Sequence, residues 1–217
     1  MHELVRQYAI QQLHSQPAAA LQTRRRHALF FIELIHSWHM NPTNVEQNEQ
    51  SLHQELDQLR TAWGWALAQG EWELLRRGIA GLFTLYRYVG YYHEAANVAI
   101  QAVEQLRQHL HSTPEPSIQV EHTLAQLLLQ QIEILFRLGQ TEEMERYLQE
   151  VLQTGERLGL RDVQAEAYLN LSWIEFRHAN SLAATDAAEK SRQLARQECN
   201  INVEANALNA LGIFWGY

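Results

Sequence analysis

An all-α chain, built as a stack of helical hairpins, is the fold this sequence predicts, on three observations. Proline (4) and glycine (10) are scarce among 217 residues, while Ala, Leu, Gln, Glu and Arg are abundant. Such residues favour helices, and no run of β-branched alternation competes with them. The third observation is a repeat. The stretch Val163 to His178 returns forty residues later, with Val163, Ala165, Ala167 and Leu171 mapping onto Val203, Ala205, Ala207 and Leu211. It also has an echo upstream, where Ala125, Leu129, Ile134, Phe136 and Arg137 map onto Ala165, Leu169, Ile174, Phe176 and Arg177. A period in this range marks supersecondary units stacked one on the next. Small residues stand where a neighbouring helix must approach and large apolar ones lie between, as in a solenoid of helical hairpins.

The elements follow in order. Residues 2–14 carry Leu4, Val5, Tyr8, Ala9 and Leu13 on one helical stripe. Pro17 opens the next helix, because the first turn does not need its missing N–H. That helix is expected to reach about Met40, burying Ala28, Phe31, Ile32, Ile35 and Trp38. Residues 41–44, with Pro42, form a break. A helix from about Val45 to Ala68 keeps Leu52, Leu56, Leu59, Trp63 and Ala66 on one face, and Gly70 closes it. Residues 71–89 and 91–110 form the next two helices, with Gly90 between them. Ser112-Thr113-Pro114-Glu115-Pro116-Ser117 is the clearest loop. Helices 118–138 and 142–158 then meet at Gly139-Gln140-Thr141, where Thr141 is expected as the N-cap. Helices 162–178 and 182–197 meet at Ala179-Asn180-Ser181, with Ser181 expected as the cap. A last helix covers 202–217. Its apolar end, Ile213-Phe214-Trp215, is expected to pack on 182–197 or on another copy of the chain. A solenoid normally closes with a polar unit, so the reading at this point is of a fragment cut inside a repeat array, with self-association through that end.

Charge and cysteine usage narrow the function classes. Seventeen basic and 25 acidic residues give a net charge of -8. A nucleic-acid module presents a basic stripe. The one basic run here, Arg24-Arg25-Arg26, reads as a solvated helix face. Cys199 is the only cysteine, which excludes an internal disulfide and gives no support to an oxidising compartment. No apolar run approaches the ~20 residues that span a bilayer. A soluble cytoplasmic protein with no membrane contact is the expectation.

Catalytic and metal chemistry find little footing. Glu33-x-x-His36 and Glu175-x-x-His178 have the i, i+3 spacing of di-iron bundles, but they lie far apart along the chain. His36-x-x-His39 and His109-x-His111 lack a third ligand at recognisable spacing. Cys199 has no adjacent base in the sequence. Glu142-Glu143 suit the positive end of a helix dipole. Neither a Gly-rich phosphate loop nor a serine elbow is present. The expectation is a non-enzyme without cofactor or metal.

The turns themselves resemble those of tetratricopeptide repeats. Gly90, Gly139 and Ala179 stand at the signature glycine before the second helix. Ala95, Ala99 and Ala102, then Ala184, Ala187 and Ala188, match the alanine-rich second helix. The middle copy departs from this, with Met144, Leu148 and Val151. The forty-residue period resembles the longer repeats of bacterial regulators, in which a second glycine falls near Gly159; Cys199 occupies the equivalent loop position. Two further stretches are more specific. MHELVRQYAIQQL resembles the last winged-helix segment of bacterial STAND-class (NB-ARC-like) signal-transduction ATPases. Residues 52–73, with Asp57-Gln58-Leu59-Arg60, Trp65-Ala66-Leu67 and Gly70-Glu71, resemble the start of their sensor arm.

The resemblance implies three parts: 1–14 as the end of a winged-helix domain, 17–70 as a helical lead-in, and 71–217 as tetratricopeptide-like repeats in a right-handed α-solenoid. It implies a sensor arm that recognises a protein, peptide or small-molecule effector and works with an upstream nucleotide-binding domain of the same parent chain. The other reading is a free-standing adaptor that docks peptides or proteins. Carrying the family's register over places the concave face on Thr84, Arg87, Tyr88 and Tyr91, then Glu133, Phe136, Arg137 and Gln140, then Trp173, Phe176, Arg177 and Asn180. Arg87, Arg137 and Arg177 would form a row suited to an acidic ligand, unless Glu94 and Glu133 pair with them.

Overall fold

The computed structural model describes residues 16–40 and 53–216. The expected helix at 2–14, the break at 41–44 and the first part of the helix expected from Val45 lie outside them. Every regular element among the described residues is an α-helix, and no strand occurs among them. None of these helices is long and apolar enough to cross a membrane. Contacts divide the chain into two compact units, Met1–Val89 and Gly90–Tyr217.

The first unit contains α1 (Pro17–Met40), α2 (Leu56–Gln69) and α3 (Trp72–Val89). α1 packs on both α2 and α3, which also touch each other. The expected line on α1 is buried at Ala28, Ile32 and Ile35, while Phe31 and Trp38 are only half-buried. α3, grouped with the repeats in the sequence reading, packs here within the first unit. Its core is aromatic: the Trp63 and Phe83 rings meet edge to face at 6.1 Å, and Tyr86 lies 6.3 Å from Phe83. Phe83 and Tyr86 are almost fully buried. Two glycines let α3 come close to α1. A Cβ at Gly81 would sit 2.5 Å from the Ile35 carbonyl oxygen, and one at Gly78 would sit 3.1 Å from Ile32. Gly70, at φ 67°, closes α2 in the left-handed conformation that glycine adopts at little steric cost. Arg25 of the basic run pairs with Glu71 at 2.8 Å, and Arg77 with Glu33 at 2.9 Å. These are surface pairs, screened by solvent, and they add little to stability.

The second unit contains α4 (Tyr92–Ser112), α5 (Ile118–Leu138), α6 (Thr141–Leu158), α7 (Arg161–Arg177), α8 (Ser181–Gln197) and α9 (Ile201–Trp215). Each helix packs on the next, α5 also meets α7, and α7 meets α9. The turns repeat one geometry. Residues 139, 159, 179 and 199 all take positive φ, at 76°, 67°, 59° and 54°. At each, two backbone N–H groups reach back to the closing helix, for example Ala179 to Phe176 and Asn180 to Glu175. This satisfies carbonyls that a helix end otherwise leaves open. The geometry persists where glycine has become Ala179 and Cys199, so the fold imposes it on residues that adopt it at a cost.

These turns are so tight that the expected N-caps move. Thr141 and Ser181 are already inside α6 and α8, and the N-cap positions fall on Gln140 and Asn180, neither of which caps with its side chain. Asn180 instead donates to Glu175. Asn200, at the equivalent place before α9, does cap: its Oδ1 accepts from the Val203 N–H at 3.2 Å.

Small side chains set the spacing between helices. Ala184, Ala188, Ser191 and Ala195 of α8 are all fully buried. The Ser191 hydroxyl donates to the Ala165 carbonyl of α7 at 2.7 Å. α6 uses Met144, Leu148 and Val151 at its buried positions instead. At the far end, Phe214 is 4% exposed and packs with Ala184, Ala188, Ala210 and Leu211. Ile213 is half-buried against the same cluster, whereas Trp215 is 74% exposed. Glu121 pairs with Arg157 within the α5–α6 hairpin, and His122 Nε2 meets Asp162 Oδ2 at 2.7 Å, linking α5 to α7 of the next hairpin.

Candidate functional site

The residues expected on the recognition face divide between the two units. Thr84, Arg87 and Tyr88 belong to the first, and Tyr91 with all the others to the second. In the first unit the Arg87 guanidinium donates to Thr84 Oγ1 at 2.9 Å and is half-buried. Nearby His39 has a lowered pKa, through burial first and then the positive Arg87 and His36. Tyr88 is 56% exposed.

In the second unit, Arg137 and Arg177 close the last turns of α5 and α7. Carbonyl dipoles at a helix C-terminus favour a cation, so part of this placement is local. Each guanidinium lies near an aromatic ring contributed by the preceding hairpin. Arg137 sits 5.9 Å from the Tyr92 ring centre, and Arg177 sits 4.9 Å from that of Phe136. Both arginines are exposed. Ring contacts of this kind contribute ~0.5–1 kcal/mol at exposed sites. An exposed guanidinium carries its N–H donors in a planar fork, the arrangement that grips a carboxylate or phosphate with two hydrogen bonds.

The other aromatic candidates have structural employment. Trp173 and Phe176 are half-buried and close on Phe214, with ring centres 5.2 and 4.6 Å away. They join the cluster of Ala184, Ala188, Ala210 and Leu211, and so hold α7, α8 and α9 together. Glu133 is half-buried, and Gln140 and Asn180 are exposed in the turns.

Sequence reasoning missed Tyr92, the ring beneath Arg137. It chose Tyr91, one residue earlier. A Tyr-Tyr pair straddling a turn gives no sequence signal for which ring the following hairpin will cover. It also missed a cavity of about 330 Å³ between α6 and α7, floored by Leu148, Leu152, Leu171 and Ile174. His178 approaches Glu145 to 3.6 Å at its edge.

No three His, Cys, Asp or Glu side chains gather into a metal-holding group among the described residues. Glu33 is bound to Arg77, and His36 Nδ1 to the Arg77 carbonyl. Glu175 accepts from Asn180. Cys199 is exposed in its turn. The Asp162 carboxyl balances two influences. Burial pushes its pKa up, but the His122 bond and charge and the helix N–H groups outweigh this and leave it below the ordinary value of 3.8. The Arg192 guanidinium and the Gln193 amide bring Glu189 to about 2.

No protein-family model matches this sequence, no curated protein matches it, and no solved structure matches its fold.

Proposed function

We propose that the chain is a ligand- or partner-sensing domain of tetratricopeptide type, non-catalytic by itself, acting as the sensor arm of a STAND-class regulator. The observation that carries the recognition half of this is the pair Arg137 and Arg177. They are equivalent residues of two successive hairpins, each laid over a ring and each exposed to solvent. Exposed like charges repeated along a stack add little to stability unless acidic groups separate them. An acidic or carboxylate-bearing ligand would supply that separation. Support for the repeat class comes from positive-φ turns at twenty-residue intervals, the alanine-lined α8, and the contacts of α5 with α7 and α7 with α9. Support for the STAND assignment is the resemblance of residues 1–13 and 52–73 alone. Sensing would then be a difference in ligand affinity between resting and active states of the regulator. The second reading, a free-standing adaptor, shares the same surface. An upstream nucleotide-binding domain in the parent gene separates the two.

The test is binding to an array of acidic peptides with free C-terminal carboxylates, followed by calorimetry on the best binder. A charge-assisted hydrogen bond contributes about 1.5–3 kcal/mol, so R137A and R177A should each weaken binding about tenfold or more. Equal affinity of the R137A/R177A double variant, with its melt unchanged, would remove the proposal.

A further inference from the structure

The outward stripe of α9 is apolar and uncovered. Ile201, Ala205, Leu208, Gly212 and Trp215 lie on one helical line, and all five are exposed. The three large ones are 77%, 51% and 74% exposed in that order. Exposed Asn202, Asn206 and Asn209 flank the line, and half-buried Glu204 is the only charged residue of the helix. Freedom from charge is what distinguishes the centre of a protein interface from ordinary surface. Gly212 leaves a hollow in the line, since a Cβ there would meet nothing within 4 Å.

The molecule itself displays what covers such a line. Forty residues earlier, Ala205 and Gly212 correspond to Ala165 and Ser172, both fully buried. Ala165 lies in one cluster with Ala195 of α8, and its carbonyl accepts the Ser191 hydroxyl at 2.7 Å. Leu208 corresponds to Tyr168, whose ring lies under Lys190 of α8 at 5.3 Å. The covering helix brings Ser191 and Ala195 to this contact, both fully buried, while its Ala184 and Ala188 gather with Ala210, Leu211 and Phe214 of α9. It runs back along α7 from a three-residue turn.

We propose that the outer face of α9 is a docking surface for a helix of α8's kind, one presenting a serine and an alanine four residues apart, as Ser191 and Ala195 do, and lying antiparallel to α9. Such a helix brings its backbone close over Ala205 and Gly212 and leaves room for Leu208 and Trp215 to lie along its flanks. A second copy of α9 fits less well, because it sets bulky Leu208 and Trp215 against the same side chains. Two chains of net charge -8 also repel.

The experiment extends the chain beyond Tyr217 with a copy of residues 178–197. The forty-residue period puts that copy in register with α9. Oxidative footprinting read by mass spectrometry should show Trp215 reacting at least fivefold more slowly than in the unextended chain. The thermal midpoint should rise by about 4 °C or more, the scale of one to two kcal/mol in a chain of this length. A copy carrying S191E and A195E should produce neither change. Unaltered Trp215 reactivity in the extended chain overturns the proposal. So does a dimer of the unextended chain, seen by sedimentation and dissolved by L208E, which would name a second copy as the occupant.

Discussion

The two units reach a helical core by opposite routes. The first concentrates its packing: Trp63, Phe83 and Tyr86 fill the interior, and Gly81 lets α3 approach the α1 backbone. The second distributes it. Alanine and serine line α8, the turns share one conformation, and the largest aromatic group, Trp173, Phe176 and Phe214, gathers where α7, α8 and α9 meet. Concentrated packing resists change at a few positions. Distributed packing resists enlargement at many, and it permits the same hairpin to be repeated with exposed side chains left over for binding.

The contrast should be sharpest when a large side chain is deleted. Phe83→Ala should cost the first unit about 3–5 kcal/mol, because a buried ring is lost and a cavity remains. Gly81→Ala should cost about 2–3 kcal/mol, since the new methyl meets backbone rather than a side chain that can swing away. Urea unfolding followed by tryptophan fluorescence would check both. A loss below 1 kcal/mol for either would show that the first unit adapts as readily as the second.

The second unit should answer to the reverse change. Ala188→Leu adds bulk where α8 meets the Phe214 cluster, and about 1–3 kcal/mol should be lost. Calorimetric melting of the variant would show a midpoint several degrees lower. An unchanged midpoint would mean that α8 and α9 are looser than their buried alanines imply.

The turns predict a gain. Ala179 and Cys199 hold φ values that glycine adopts without penalty. Part of the relief is offset by the greater freedom of glycine in the unfolded chain. Ala179→Gly and Cys199→Gly should each raise stability by about 0.5 kcal/mol or somewhat more. Destabilisation by both would show that the left-handed turns are not strained.

The smallest effect is electrostatic. The Asp162 carboxyl lies below its ordinary value in the folded chain. Its contribution is therefore full above the unfolded value of about 4, and it disappears as pH falls through the lower folded value. Glu189, brought to about 2, acts in the same direction, discounted because its side chain is partly solvated. Asp162→Asn should flatten the loss of stability below about pH 4 without abolishing it. Urea midpoints measured from acid to neutral pH would reveal this, and parallel curves for the two proteins would contradict it.

Much of the fold was legible because turn chemistry and helical spacing agree. Gly70, Gly139 and Gly159 end helices where the sequence suggested, and the forty-residue echo aligned Gly139 with Ala179 and Gly159 with Cys199. The N-caps were misread because Thr141 and Ser181 look like good caps in isolation. Only the three-dimensional turn shows that the chain enters each helix one residue sooner. The grouping of α3 with α1 was hidden too, since its apolar face does not state which neighbour it covers. At the candidate site, the arginines were legible from their repeat register. The rings were not: Phe176 and Trp173 are committed to Phe214, while Tyr92 serves Arg137. A side chain's partner across hairpins depends on rotamer and packing, and spacing along the chain carries neither.

The central claim is that Arg137 and Arg177 are exposed for recognition and do not hold the hairpins together. Equilibrium urea unfolding of the R137A/R177A variant tests it without needing a ligand. The account predicts a loss no greater than about 1–2 kcal/mol, the sum of two exposed ring contacts, with an unchanged m-value. A loss beyond about 3 kcal/mol, or a changed m-value, would make the pair structural and contradict the account.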